Sequence, residues 1–394
     1  MKVGAAIYSM LKDDSAVSAL VGTRIYPELA EEGAQTPYVV YSVVSNTPVD
    51  TKDSAPVDEA QLEVFSVADT YAAANDLADK VRAALSRQSK KVLDTVAVQS
   101  IKYTNEVTEV SAARDMFISV QDYTARITAV PLFLDVFSGA HAAYSLRKMR
   151  QAYTGAAIRI RRAATTDKLD IGFDASGNLD TAAINTFAAG SACVIETLYD
   201  QSGNGNHVTQ TSIGAQPRIR HATDGVDEVN GKAAMRFNGN THTLPFDSSG
   251  LNINNLSTFV VCSFSNTTGT QFALDASGIT SDKRWYAPLV EDGNFNYMYG
   301  EAVKDVTATA NTNQNLHTVI AGSTQGNMRA FLNGLSVGSR TLVDGIDNTT
   351  TGIGSSGGAS LMNGYIQEIV VYNSDQSPSR ADIENAMNTH YDIY

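Results

Sequence analysis

The sequence predicts an α+β N-terminal domain, an antiparallel sheet with helices on one face, over residues 1–127, a short joint at 128–131, and an all-β antiparallel sandwich over residues 132–394. Three observations carry this. A chain of 394 residues exceeds what a single hydrophobic core usually organises. Helix-period and strand-period segments alternate as far as about Ile127. Beyond Val130 helix signals nearly vanish, and short apolar runs alternate with glycine- and asparagine-rich turns that hold most of the 29 glycines.

The elements follow in order. Val3, Ile7, Met10 and Leu11 fall at i, i+4, i+7, i+8 and predict an amphipathic first helix. Val17, Leu20 and Val21 continue the stripe until Gly22 stops it. Tyr38 to Val44, introduced by Pro37, is a β-branched and aromatic run, and Gln61 to Val67 alternates; both predict strands. Between them, Ser45 to Glu59 holds two prolines, several acidic residues and no aromatic, which predicts a long exposed excursion. Asp69 or Thr70 caps a helix whose Ala73, Leu77, Val81, Ala84 and Leu85 share one stripe. Strands near Val96 to Tyr103 and Met116 to Tyr123 complete the first domain. In the second, strands are expected at Ala157–Arg162, Cys193–Leu198, Ala233–Phe237, Thr258–Phe264, Leu316–Ala321, Met328–Leu332 and Tyr365–Tyr372. A helix returns at about Ser379 to His390, with Ile383, Ala386 and Met387 inward.

Composition excludes several function classes. A net charge of −13 argues against a protein that grips nucleic acid through its phosphates, because that needs a basic face. Two cysteines, Cys193 and Cys262, cannot form a disulfide framework, and neither has zinc spacing. No apolar run is long enough to cross a bilayer, so no membrane partner is expected. Lys12, Asp13 and Asp14 interrupt the first apolar stretch where an export signal would carry its cleavage site, so none is expected.

With the first domain laid out, Val21-Gly22-Thr23-Arg24-Ile25-Tyr26-Pro27, then Thr36-Pro37-Tyr38-Val39-Val40-Tyr41, then the strand leading into the helix at Tyr71 to Leu85, resemble the tail terminator (tail completion) family of long-tailed bacteriophages. The resemblance covers residues 1–127. It implies a homo-oligomeric ring, a hexamer, that caps the tail tube, contacts the major tail tube protein and joins the head–tail connector protein. It also implies location in the virion, in the tail at the neck, after assembly in the host cytoplasm. An acidic ring suits this role, since genomic DNA passes a negative lumen without binding.

The second domain bears another resemblance. Ala143-Tyr144-Ser145-Leu146-Arg147, Tyr153 to Arg162, Asp170-Ile171-Gly172-Phe173 and Tyr199-Asp200-Gln201-Ser202-Gly203-Asn204-Gly205-Asn206-His207 look like the catalytic domain of arabinofuranosidase B. Asn363 to Tyr372, with the terminal helix, is similar to the closing elements of laminin-G-like, concanavalin A-like sandwiches. Together they imply a concanavalin A-like jelly roll.

Retaining glycosidases need two carboxyl groups about 5 Å apart. In the resembling enzyme the nucleophilic Glu follows a Trp by six residues and an Asp by two. Trp285 and Glu291 reproduce the first spacing, but Leu289 stands where the Asp should be. The acid/base expected after Gly352-Ile353-Gly354 is replaced by Ser355 and Ser356, with no carboxylate until Glu368. Glu291 is thus a catalytic candidate with no carboxylate at the position where the resemblance puts the acid/base, and the chain is expected not to be an enzyme. The opposed reading is a carbohydrate-active, arabinofuranosidase-like enzyme or a free lectin. Turn chemistry explains Tyr199 to Asn206 by itself; the alternative is that Asp200, Asn204 and Asn206 offer oxygens to calcium or to sugar hydroxyls. Trp285 and Tyr286 are candidates to stack on a sugar face, against the commoner fate of strand aromatics as core. No cofactor is expected. The six histidines form no HExxH or Ser/His/Asp arrangement. A host surface glycan is the expected partner of the second domain.

Overall fold

A computed structural model describes residues 2–49, 57–86, 91–93, 96–111, 116–163, 165–248, 250–251, 255–277, 285–299, 306–322, 327–341 and 350–394. The chain divides into two compact units, Met1–Val130 and Pro131–Tyr394.

The first unit contains helices α1 (Lys2–Asp13) and α2 (Ser15–Val21), strands β1 (Ile25–Pro27), β2 (Tyr38–Val49) and β3 (Val57–Ala68), helix α3 (Tyr71–Leu85), and strands β4 (Lys91–Leu93), β5 (Val96–Ser111) and β6 (Met116–Ala129). Asp14 separates the first two helices because its carboxylate accepts from the amides of Ala16 and Val17, a cap that restarts the helix. Thr70, of the two predicted caps, starts α3 by accepting from the Ala73 amide. The strands run in the order β1-β2-β3-β6-β5-β4, antiparallel except for the parallel pair β1–β2. Val3, Ile7, Met10 and Leu11 pack with Leu77, Val81 and Leu85 onto Val39, Leu62, Val64 and Tyr123. Each such buried leucine or isoleucine contributes roughly 1.5–3 kcal/mol. Ala74, not Ala73, completes the buried stripe of α3. Strand alternation sends Tyr38, Val40 and Val67 to a smaller cluster of their own.

The excursion expected between Ser45 and Glu59 is corrected. Ser45, Asn46, Thr47, Pro48 and Val49 continue β2 and pair with Gln61, Ala60, Glu59, Asp58 and Val57 of β3. This arm of β2 is exposed from Val44 to Pro48. A ladder with little to bury needs no apolar alternation, so its polarity reads as loop. Residues 50–56 lie outside the described residues. The strands β5 and β6 likewise run well past the predicted ends, paired from Val96–Ala129 to Ser111–Met116.

The second unit is a sandwich of antiparallel sheets. A 13-stranded sheet centred on Leu256–Phe264 and Asn363–Tyr372 faces a 7-stranded sheet containing Trp285–Glu291 and Asn294–Tyr299. Their shared core includes Val260, Cys262, Phe264, Ile366 and Ile369 on one side and Leu274, Trp285, Phe295, Tyr297 and Ile353 on the other. All nine residues of Leu256–Phe264 are buried because the larger sheet is covered on both faces. Phe259, Val261 and Val370 meet Phe133 and Leu134 of α4 (Phe133–Val136) and Ile383 and Met387 of the terminal helix. The sequence pattern predicts neither α4 nor a further helix, α5 (Thr181–Ala188); Asp180 caps α5 through the Ala183 amide, and Ile184 and Ala188 are its short buried stripe. The terminal helix is α6 (Arg380–Tyr391), where Glu384 and Tyr391 are buried beside Ile383 and Met387 while Ala386 is half-buried.

Candidate functional site

The first unit presents strand edges at both borders of its sheet. β4 pairs with β5 only over Val96, Ala97 and Val98, and the remaining outer edge of β5 has no strand partner among the described residues. That edge bears Val107 and Val110, 48% and 62% exposed. At the opposite border, β1 covers β2 only over Val39, Val40 and Tyr41. Long unpaired edges with exposed valines are templates for pairing with another chain. Behind them a polar network stiffens the β5–β6 ladder. Glu106 accepts from Ser119, Gln121 and Tyr103, and the Arg82 guanidinium of α3 lies 3.9 Å over the Tyr103 ring. Burial raises the Glu106 carboxyl, but these donors and Arg82 outweigh it and hold the group below the usual carboxylate range. Asp79, Arg82, Ile101, Lys102 and Tyr103 line an open groove of about 790 Å3 between α3 and β5.

In the second unit the Tyr199–His207 segment is a self-satisfied turn. Asp200 is 1% exposed, and its carboxylate accepts from the amides of Ala143, Ser202 and Asn206 and from the Ser202 hydroxyl. The Asn204 and Asn206 side-chain amides both donate to the His141 carbonyl. With both Asp200 oxygens engaged inward, the carboxylate is not presented to calcium or to a sugar; it ties the turn to the strand Ala140–Ser145. Among the described residues no group of three or more His, Cys, Asp or Glu is arranged to hold a metal.

The proposed stacking pair is corrected as well. Trp285 and Tyr286 are 0% and 1% exposed. Adjacent strand residues point to opposite faces, so Trp285 enters the sandwich core while Tyr286 packs edge-on against Phe272 and beside Leu289. Neither offers a face to a sugar. Glu291 is half-buried at the end of the same strand, and Thr270 donates to it at 3.3 Å. Ser355, at the position expected for the acid/base, is fully buried and hydrogen-bonded to Thr243. The buried carboxylate of the adjoining strand, Asp275, is in register with Tyr286. Counted on the facing strand, where Met298 pairs with Tyr286 and Asn294 with Glu291, that is four residues, or about 13 Å of strand, from Glu291. Glycosidase pairs need about 5 Å or about 6.5–9.5 Å.

Glu368 is equally unsuited. Its side chain is fully buried, bound by Arg147 Nε and Nη2 at 2.7 and 2.8 Å, by the Ser145 hydroxyl at 2.7 Å and by the Tyr391 hydroxyl at 3.0 Å. Burial raises its carboxyl, but Arg147 and Ser145 outweigh burial and keep it below the ordinary range. It is a fixed anion that holds α6 to the sheet, not a proton donor. Sequence reasoning missed this network because Ser145 and Arg147 stand more than two hundred positions from Glu368.

Comparison with known proteins divides at the same point as the structure. Residues 5–128, nearly the whole of the first unit, match the family model of the tail completion protein gp17. Residues 135–244 match the model of the alpha-L-arabinofuranosidase B catalytic domain. A probable alpha-L-arabinofuranosidase B of Aspergillus flavus is 41% identical over 69 residues, which are 17% of this chain and 14% of that relative. The alpha-L-arabinofuranosidase of Hypocrea jecorina is 40% identical over 68 residues, again 17% and 14%. The chain therefore spans about one seventh of the curated arabinofuranosidases that it matches. Among solved structures, a GH54 arabinofuranosidase soaked with a cyclic sulfate inhibitor has a TM-score of 0.48 at 17% identity, covering 63% of this chain and 62% of that one. A chain from the virion of a native gene transfer agent particle has a TM-score of 0.28 at 22% identity, covering 32% and 96%. No helix among the described residues is long and apolar enough to cross a membrane.

Proposed function

We propose that the chain is a structural protein of the phage tail, a terminator whose first unit forms a homo-hexameric ring. The ring caps the tail tube, contacts the major tail tube protein and offers the head–tail connector its docking surface at the neck of the virion. The observation that carries this reading is the tail completion match over residues 5–128, nearly the whole of the unit Met1–Val130. The two sheet edges left without a full strand partner among the described residues support it. They lie on opposite borders of one sheet, and a head-to-tail contact between different surfaces is the kind that closes a cyclic ring. Residues 1–130 hold 18 Asp and Glu against 12 Lys and Arg, and an acidic ring lets DNA pass the lumen without being held.

The second unit serves as an outward decoration that binds surface carbohydrate without hydrolysing it. Its likeness to a glycosidase domain supports the ligand class. The buried serine, Ser355, at the position expected for the acid/base supports the lack of turnover, and neither role needs a metal or cofactor. Electron microscopy of virions tests the first part: a six-fold ring of this chain at the head-proximal end of the tail is expected, and its absence there refutes the reading. Retention of the full chain on host surface polysaccharide tests the second. Release of arabinose from an arabinofuranoside would instead favour the hydrolase.

A further inference from the structure

The end of α6, a β-hairpin and the turn before α5 enclose a polar recess of about 170 Å3 in the second unit. That is room for about six waters, or for one sugar ring. Its walls are pinned to one another. Arg147 forms a β-bridge with Asn178, and the Asp174 carboxylate accepts from the amides of Ser176 and Asn178 at 2.9 Å each. The hairpin Glu228–Ala233 is anchored from beneath, since Gln367 Nε2 donates to the carbonyls of Val229 and Lys232 at 3.1 Å each. At the hairpin's tip Asn230 donates to the Asp392 carbonyl, just past the helix. A cavity built on two strands, a hairpin and a helix end is preorganised, which lowers the entropic cost of binding.

The lining selects a neutral polyhydroxylated ligand. Arg147 is neutralised by Glu368 behind it. Lys232 is offset by Asp174 and Glu228 on the same rim, so the recess offers no net field for an anion, and its acidic groups are not grouped for a metal among the described residues. His390 stands edge-on to Tyr391 with ring centroids 4.6 Å apart, and its ring has no hydrogen-bond partner among the described residues. Burial, helped by Arg147 and Lys232 and opposed by Glu368, lowers its pKa to about 3, so it stays a neutral imidazole. Such a ring has one donor and one acceptor, which matches a sugar hydroxyl. Asn178, Thr181, Glu228 and Lys232 add further donors and acceptors around the same space.

We propose that this recess binds a single neutral sugar residue, the end or a branch of a glycan, through Asn178, Thr181, Glu228, Lys232 and His390. The proposal rests on the reading that the second unit recognises carbohydrate, and it puts the site at the terminal helix, away from Trp285 and Glu291 in the opposite sheet.

Saturation-transfer NMR on the full chain tests it, with L-arabinose, D-galactose, D-glucose and N-acetyl-D-glucosamine as probes at millimolar concentration. At least one sugar should be saturated, and Lys232→Ala and Glu228→Gln should each weaken it about tenfold, or 1.4 kcal/mol. Both variants should keep the fold, because Gln367 holds the hairpin by backbone carbonyls; unchanged thermal unfolding checks this. Saturation that persists in the double variant overturns the recess. So does a wild-type chain that is retained on immobilised host cell-wall polysaccharide while saturating none of the four sugars, and in that case the carbohydrate reading survives. Failure of both retention and saturation overturns the carbohydrate reading and the recess together.

Discussion

Replacing Arg147 by Met strands the Glu368 carboxylate in the interior. The carboxylate is fully buried and Arg147 is only 13% exposed, so water screens the pair little. Removing one partner of such a pair costs about 3–5 kcal/mol, because the surviving charge has lost its counter-charge and two of its hydrogen bonds. For a unit of this size each kcal/mol moves the midpoint by about 2–4 °C, so the second unit should melt about 6–20 °C lower at pH 7. The pH dependence carries the sign of the argument. In the wild type the folded carboxyl lies below its ordinary value, so the pair contributes stability at neutral pH that is lost as pH falls through the folded value. In Arg147→Met burial acts without its opponent and raises the carboxyl, so acid neutralises Glu368 and the penalty shrinks. The double variant Arg147→Met, Glu368→Gln should regain most of the loss, since no charge stays buried. Calorimetry from pH 7 down to pH 4 reads all three. A single variant that melts within 2 °C of wild type, or whose deficit does not shrink in acid, refutes the role given to this pair.

Trp285→Ala should destabilise the sandwich by about 3–5 kcal/mol in chemical denaturation through the cavity it leaves, while retention on polysaccharide of the still-folded protein is unchanged; lost retention would return Trp285 to the ligand site. Asp200→Ala abandons four donors and should cost about 3 kcal/mol or more, whereas EDTA should leave the wild-type melting curve where it was. Wild type and Glu291→Gln should both be blank against 4-nitrophenyl arabinofuranoside, and hydrolysis that disappears only in the variant would revive the enzyme. Val107→Asp and Val110→Asp should change the stability of the first unit by less than about 0.5 kcal/mol, yet abolish ring assembly as read by mass measurement; intact rings would remove that edge from the interface.

Elements with one buried face and one wet face were legible from spacing. The stripe Val3, Ile7, Met10, Leu11 is buried as its period requires, with exposed Ala5 and Lys12 on the other side. Patterns failed where burial was two-sided or absent. The arm Ser45–Val49 is too exposed to alternate, so it read as loop although it continues the β2–β3 ladder. Trp285-Tyr286 is buried on both faces of its strand, and a run with no polar side gives no sign of which aromatic is free. α5 escaped because two turns carry only Ile184 and Ala188 inward, a stripe too short to stand out among strand signals.

What the amino-acid sequence determined by itself is therefore local: helix faces, caps, turns and the order of elements, all set by contacts a few residues apart, together with an acidic charge balance that argues against a grip on DNA phosphates. The two family resemblances were legible at the same level, because they rest on contiguous motifs. Tertiary structure alone decided which polar groups are spent and which remain. Asp200 is consumed by an amide 57 residues away and Glu368 by an arginine 221 residues away, so neither is available for chemistry. The recess at His390 exists only because Asn178, Lys232 and the end of α6 are brought together by pairings across the sandwich. Hydrogen bonds and ion pairs depend on distance in space, and one dimension of sequence does not record it.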